Sequence, residues 1–249
     1  MKRLFRMIFA LYGAIVFAIS MVLVYPCYFI VFSTMGRKAP AKAHRVSQIW
    51  AHSVFFILFI RLKIKGTELI NPKQTYVFVG NHQSLLDIPL FAIACKNTIR
   101  FLAKEELTKM PVIGYVIRKI YVSVKRSDKA NRKKSLLALM SSLNEHISIF
   151  LCPEGTRNKT DEPLLEFKDG AFLLAIEAQV PLAFITVMNT KEILPPTRLD
   201  QLSPGTLHAI WNEPIPTVGL TEKDIPWLKD RVRQGMLDNI VRFKKYGHF

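Results

Sequence analysis

The feature that most constrains the fold of this chain is an uncharged run from Met7 to Thr34. A straight helix over these 28 residues would measure about 42 Å, whereas the hydrocarbon core of a bilayer is about 30 Å thick. A second apolar run, from Ile49 to Ile60, is too short to cross a bilayer by itself. We therefore predict that residues 1–65 form a hydrophobic membrane-anchoring region.

Positive charge surrounds these two apolar runs. The chain has a net charge of +16, and ten of its Lys and Arg residues precede the first acidic residue, Glu68. This excess favours a polyanionic partner, and the apolar runs favour a membrane surface over a nucleic acid. Because basic residues prefer the cytoplasmic side, a single crossing would violate that preference at one end. The pattern favours a monotopic two-helix anchor or a full hairpin over a single span, with the rest of the chain at the cytoplasmic face.

Residues 66–249 alternate between short apolar and amphipathic runs, which predicts an α/β domain with a mostly parallel mixed sheet flanked by helices. The predicted strands are Thr75–Gly80, Ile99–Ala103, Ile120–Val124, Ile147–Cys152, Leu182–Met188 and Thr206–Trp211. The predicted helices are Leu85–Cys95, Glu105–Lys119, Asp128–His146 and Gly170–Gln179, and a last helix follows the capping box Thr221–Asp224. In such sheets, ligands bind at the carboxyl ends of the strands.

His82 and Asp87 lie just after the first of these predicted strand ends. A carboxylate one helical turn beyond the imidazole can bond one ring nitrogen, fix the tautomer and stabilise the imidazolium. The other nitrogen is then free to take a proton from a hydroxyl. A turn-capping histidine followed by a helix-start aspartate is the structural alternative, and this spacing alone does not exclude it.

Cations follow two further strand ends. Lys104 comes after Ile99–Ala103, and Pro153-Glu-Gly-Thr-Arg157 comes after Ile147–Cys152. Gly155 allows a close turn, and the planar fork of Arg157 matches phosphate oxygens. One base and two cations at neighbouring strand ends fit a phosphorylated alcohol whose hydroxyl is activated. A solvated lysine and a turn with a surface arginine are the structural alternatives.

The three cysteines, Cys27, Cys95 and Cys152, have no metal-binding spacing, so we expect no metal site and a reducing compartment. Cys152 precedes Pro153 and could be imagined as an acyl-carrying nucleophile, but a small core residue is the favoured interpretation. The basic run 125–134 is either a solvated helix start or a surface for CoA phosphates, acyl carrier protein or lipid headgroups.

These segments, taken in order, resemble the sequence blocks of the glycerolipid acyltransferases, the 1-acylglycerol-3-phosphate acyltransferase family. The matching segments are Asn81–Asp87 (NHQSLLD), Lys104–Leu107 (KEEL) with Pro111, Gly114 and Arg126, Pro153–Arg157 (PEGTR), Phe167–Phe172 (FKDGAF) and Val180–Leu182 (VPL). The resemblance covers about residues 66–215. It implies the glycerolipid acyltransferase fold with an N-terminal two-helix membrane motif.

The resemblance also implies roles. His82 would be the catalytic base and Asp87 its partner. The implied substrate-binding residues are Lys104, Arg126, Glu154, Gly155, Thr156 and Arg157. Among them, Lys104 and Arg157 would hold a phosphate. Glu154, Gly155 and Thr156 would shape the acceptor pocket. We expect an oxyanion stabiliser among the backbone N–H groups that follow His82.

The implied reaction moves a fatty acyl group from acyl-CoA or acyl carrier protein to the sn-2 hydroxyl of 1-acylglycerol-3-phosphate, which makes phosphatidate. The thioester is a co-substrate, and no cofactor is expected. One alternative keeps the reaction but uses glycerol-3-phosphate, another lysophospholipid or a lyso-aminolipid as the acceptor. The others are a lipid hydrolase and a non-catalytic membrane-binding protein.

Overall fold

The computed structural model describes residues 2–110, 112–124 and 129–247. The helices are α1 (Lys2–Thr34), α2 (Ala39–Ile57), α3 (Asp87–Ala94), α4 (Ile113–Ile120), α5 (Lys129–Asn144), α6 (Gly170–Ala178), α7 (Thr190–Ile193) and α8 (Ile225–Tyr246). The strands are β1 (Ile60–Lys65), β2 (Val77–Gly80), β3 (Ile99–Lys104), β4 (Val122–Val124), β5 (Ser148–Leu151), β6 (Leu182–Val187) and β7 (Gly205–Trp211). Short 3₁₀ turns lie at Gly36–Lys38, Thr67–Leu69, Glu105–Lys109 and Glu222–Asp224.

The strands form one seven-stranded sheet in the order β1-β7-β6-β2-β5-β3-β4. The β6–β7 pair is antiparallel, and the other described strand pairs are parallel. Strands β2, β5 and β6 are buried at every position, as expected for central strands covered on both faces. The predicted α/β class with a mostly parallel mixed sheet is confirmed.

Alternate residues of the central strands contribute to two apolar layers, one on each face of the sheet. Phe78 points into the layer with α2 and α3, whereas its neighbours Val77 and Val79 point into the layer with α5, α6 and α8. This two-sided burial follows from the period of two in a strand. The predicted capping box is present before α8: the Asp224 carboxylate accepts from the backbone N–H of Thr221, and the Thr221 side chain accepts from the backbone N–H of Asp224.

Several predicted element bounds differ from the structure, and one strand, β1, was not predicted. The predicted helix Glu105–Lys119 is instead a 3₁₀ turn followed by α4. A residue that precedes a proline disfavours the helical conformation, and Met110, which precedes Pro111, is extended. Strand β4 begins at Val122 rather than Ile120, which ends α4. Strand β1 was not predicted: it begins at Ile60, inside the region assigned to the anchor.

The first two helices pack as an antiparallel pair. Trp50 Nε1 donates to Ser20 Oγ at 3.0 Å, Tyr28 and Ser47 share a hydrogen bond of 2.8 Å, and the Tyr12 hydroxyl donates to the carbonyl of Ile57. Helix α1 has 33 residues and is long and apolar enough to cross a membrane by length and composition. Its large exposed apolar residues include Leu4, Phe5, Ile8, Leu11, Ile15, Ile19, Val22, Leu23, Phe29 and Ile30.

Both ends of α1 also contact the α/β domain. Near the first turns, the Arg6 guanidinium donates to the backbone carbonyls of Glu192 and Gln201, at 2.8 and 2.9 Å. Near the other end, Tyr25 stacks edge-to-face on Tyr115 of α4, with centroids 5.4 Å apart. The helix therefore lies along the domain over its length.

Candidate active site

The site lies where neighbouring parallel strands end. Strands β6, β2, β5 and β3 are adjacent in the sheet, so their carboxyl ends share one edge. His82 follows β2 by two residues, and the segment Pro153–Arg157 follows β5. The two loops contact each other directly, because the N–H of Asn158 donates to the carbonyl of His82 at 2.7 Å.

His82 and Asp87 form a hydrogen-bonded pair. Nδ1 of the imidazole lies 2.8 Å from Oδ2 of Asp87, whose side chain is fully buried, while 16% of the histidine side chain remains exposed. A carboxylate only accepts hydrogen bonds, so Nδ1 carries the proton and Nε2 keeps its lone pair. The arrangement is chemically that of a base held in one tautomer.

Backbone geometry fixes the Asp87 carboxylate. Oδ2 also accepts from the N–H groups of Gln83 and Ser84, each at 2.7 Å, because the chain turns back on itself before α3 begins. Oδ1 accepts from the Thr190 hydroxyl at 2.5 Å. Sequence reasoning missed Thr190; the available signal was its position just beyond the predicted strand Leu182–Met188.

Asn81 and Gln83 tie the histidine loop to β6. The side chain of Asn81 both donates to the carbonyl and accepts from the N–H of Val187, at 2.8 and 2.7 Å, and so extends the β2–β6 ladder. Gln83 Nε2 donates to the same carbonyl. This leaves His82 anchored by residues on either side of it.

Glu154 is a buried brace between loops. One carboxylate oxygen accepts from the N–H of His82 at 2.8 Å, and the other accepts from the N–H of Leu165 at 2.9 Å. Burial raises the pKa of the Glu154 carboxyl, and the two N–H donors oppose that rise. The predicted role of Glu154, Gly155 and Thr156 in shaping an acceptor pocket stays a prediction.

We expect Glu154→Gln to lower the free energy of unfolding by about 1–3 kcal/mol, because the amide NH₂ must face one of the two backbone donors. Chemical denaturation followed by circular dichroism measures this. The exposed Glu177→Gln on α6 is the matched control and should change stability by less than about 0.5 kcal/mol. Equal effects of the two substitutions would contradict the brace role.

Gly155 adopts φ +69°, in the left-handed region that favours glycine. Its N–H donates to the carbonyl of Cys152 at 2.9 Å, which closes the turn after β5. Arg157 directly precedes Asn158, whose N–H contacts the carbonyl of His82, so the turn brings Arg157 to the histidine loop. The glycine of the PEGTR segment is thus required by the backbone at this turn.

The cations differ in setting. Arg157 is half-buried, and its Nη1 is buried without a hydrogen-bond partner among the described residues. A buried guanidinium N–H without an acceptor is costly, so this atom is suited to an incoming anion. Lys104 is exposed at the end of β3, about 10 Å from β2 because β5 lies between them. Arg126 lies outside the described residues.

Three of the backbone N–H groups that follow His82, where we expect an oxyanion stabiliser, are already hydrogen-bonded. The N–H groups of Gln83 and Ser84 donate to Asp87, and the N–H of Leu86 donates to Ser84 Oγ at 3.3 Å. Two of these donors therefore bind the Asp87 carboxylate, and the third closes the turn onto Ser84. That expectation is therefore wrong for these three groups.

At this edge of an α/β sheet, an imidazole paired with a buried carboxylate lies in one loop, and a half-buried guanidinium lies in the loop that contacts it. The sequence model of the family described as Acyltransferase matches residues 61–188, and the chain belongs to that family. An uncharacterized acyltransferase from Schizosaccharomyces pombe is 30% identical over 98% of this chain and 83% of its own length.

Two further relatives carry more specific names. The human 1-acyl-sn-glycerol-3-phosphate acyltransferase alpha is 34% identical over 73% of this chain and 64% of its own length. The crystal structure of the 1-acyl-sn-glycerophosphate acyltransferase from Thermotoga maritima superposes with a TM-score of 0.81 at 26% identity, covering 96% of this chain and 97% of that one. The chain spans 48–64% of the length of the first curated relatives it matches, which are from plants and human.

Proposed function

We propose that this chain transfers a fatty acyl group from an acyl thioester to the sn-2 hydroxyl of 1-acylglycerol-3-phosphate, which gives phosphatidate for phospholipid synthesis. The observation that carries the proposal is the 2.8 Å hydrogen bond between His82 and buried Asp87, beside the loop that holds Arg157. The names of the human and Thermotoga maritima relatives support it.

His82 acts as the base. As the acceptor hydroxyl attacks the thioester carbonyl, its proton passes to Nε2, the nitrogen that does not face Asp87. The Asp87 carboxylate stabilises the imidazolium that forms. A C–O bond forms and the C–S bond then breaks. His82 passes the same proton to the thiolate, which leaves as a free thiol. No covalent acyl–enzyme intermediate is needed.

Arg157 holds the acceptor through its phosphate. Its Nη1, which has no hydrogen-bond partner in the described part of the chain, and the rest of the fork bind two phosphate oxygens, and Lys104 adds a second cation from the end of β3. These contacts orient the hydroxyl toward His82, which lowers the barrier by positioning rather than by chemistry. Arg126 is a third proposed contact.

We expect Arg157→Ala to raise the acceptor KM about 10–150-fold, because a hydrogen bond to a charged group contributes about 1.5–3 kcal/mol. The KM of the acyl thioester should change little. Initial rates over a series of lysophosphatidate concentrations measure the effect, and exposed Arg231→Ala on α8 is the control. An unchanged acceptor KM would remove Arg157 from the phosphate site.

The α1–α2 pair attaches the enzyme to a membrane surface on its cytoplasmic side. Helix α1 exposes a continuous apolar face, and both of its ends contact the α/β domain, through Arg6 and Tyr25. A helix held along the domain in this way favours insertion into one leaflet over a perpendicular span. The acceptor and the product both reside in that leaflet.

The donor is acyl-CoA or acyl carrier protein. Both are polyanions, and the net charge of +16 provides a long-range attraction for either. Comparison of the two thioesters with the same acyl chain decides between them.

The acceptor is tested with purified protein in mixed micelles and one radiolabelled acyl thioester. Lysophosphatidate, glycerol-3-phosphate, lysophosphatidylcholine and a lyso-aminolipid are each supplied, and the labelled products are separated. We expect phosphatidate to form with lysophosphatidate at a rate well above the others. A faster reaction with another acceptor would replace the proposed substrate and leave the acyl transfer in place.

A further inference from the structure

One hydrogen bond at the site reaches Asp87 from outside the histidine loop. The Thr190 hydroxyl lies 2.5 Å from Asp87 Oδ1, and both side chains are fully buried. Because the carboxylate only accepts, the hydroxyl donates its single proton to it, and the bond is charge-assisted. The hydroxyl is thereby committed to Asp87.

We propose that Thr190 is a positioning residue for acyl transfer, which holds the Asp87 carboxylate in the rotamer that points Oδ2 at His82. The inference deepens the proposed function and rests on it. Without the hydroxyl, Oδ1 loses its partner in a fully buried setting. A rotamer that brings Oδ1 to another donor is then favoured, and the alignment of Oδ2 with the imidazole weakens.

The segment that presents Thr190 is held on three sides. Asn189 accepts from the N–H of His208 and donates to the carbonyl of Thr206, which fixes the segment to β7. Ser84 Oγ donates to the carbonyl of Leu194 at 2.8 Å, which fixes it to the histidine loop. From α1, Arg6 donates to the carbonyl of Glu192 at 2.8 Å. The hydroxyl is therefore presented by a rigid support, as positioning requires.

The last of these contacts joins the anchor to the site. Arg6 belongs to the helix that we place at the membrane, and Glu192 lies two residues beyond Thr190 in α7. The path from α1 through α7 to the His82–Asp87 pair thus consists of hydrogen bonds and the three residues 190–192 of backbone.

The test compares Thr190→Val, which removes the hydroxyl, with Thr190→Ser, which keeps it. We expect Thr190→Val to lower kcat about 10–100-fold, the range typical of removing a group that orients a metal ligand, with both KM values nearly unchanged. Thr190→Ser should recover most of that loss. Thr217→Val is the control, because Thr217 is equally buried but donates to the carbonyl of Val180.

A second readout needs no activity. In protein labelled with ¹⁵N-histidine, the downfield proton on His82 Nδ1 should shift in Thr190→Val and stay in place in Thr217→Val. This distinguishes a failure of the inference from a failure of the proposed acceptor, since no lipid is present. If Thr190→Val does not fold, Thr190→Ala against Thr190→Ser makes the same comparison.

Three outcomes would overturn the inference. Parental kcat in a variant without the hydroxyl shows that the bond does not position the base. A Thr190→Ser variant as impaired as Thr190→Val assigns the effect to the lost methyl group. A loss confined to KM places Thr190 in substrate binding instead.

Discussion

Replacing His82 by alanine is expected to lower kcat for acyl transfer about 10²–10⁴-fold, the usual contribution of a positioned general base. The imidazole is the group whose free nitrogen faces away from Asp87, and its side chain is partly exposed at the strand edge. Phosphatidate formation, measured with the labelled thioester and lysophosphatidate both saturating, gives kcat. Binding of both substrates should be largely retained.

The control for this substitution is His52→Ala, which removes an exposed histidine on α2. It should leave kcat unchanged. Thermal unfolding and vesicle co-sedimentation of both variants establish that they fold and bind membrane as the parent does. A folded, membrane-bound His82→Ala protein with the parental rate would show that His82 is not the base.

Replacing Asp87 by asparagine is expected to lower kcat about 10⁴-fold, because an amide in this position favours the wrong imidazole tautomer. The Asp87 carboxylate accepts from His82, Gln83, Ser84 and Thr190. An amide has one oxygen for these donors, so its NH₂ must face at least one of them. The same substitution should therefore cost about 1–3 kcal/mol of stability.

Activity and stability are measured separately for this variant, by the radiolabel assay and by chemical denaturation. Asp230→Asn, on the exposed face of α8, is the control for replacing a carboxylate by an amide. Loss of activity with parental stability would mean that the backbone N–H groups find other acceptors. Parental kcat in Asp87→Asn would contradict the tautomer argument.

Most of the sheet could be predicted because its central strands are recognisable from their apolar sequences. Val77–Gly80, Ser148–Leu151 and Leu182–Val187 lie within short, mostly apolar runs, as expected for fully buried strands. Strand β1 could not be predicted, because Arg61 and Lys63 interrupt its apolar residues and resemble the basic flank of a membrane helix. An edge strand tolerates such residues because one of its sides faces solvent.

The His82–Asp87 pair was accessible from sequence because its partners are five residues apart and local turn geometry joins them. The contact between Asp87 and Thr190 spans 103 positions. It depends on β6 lying next to β2, which no local pattern encodes. The same holds for Glu154, whose backbone contact to His82 spans 72 positions and identifies it as a brace.

The most direct test of the account is whether thioester cleavage requires the acceptor hydroxyl. Purified protein is supplied with acyl thioester and either lysophosphatidate or its 2-deoxy analogue, and free thiol and phosphatidate are both measured. We expect one thiol per phosphatidate with lysophosphatidate, and no thiol above background with the analogue. Equal thiol release with the analogue would show that water, not the lipid alcohol, receives the acyl group, and would contradict hydroxyl activation by His82.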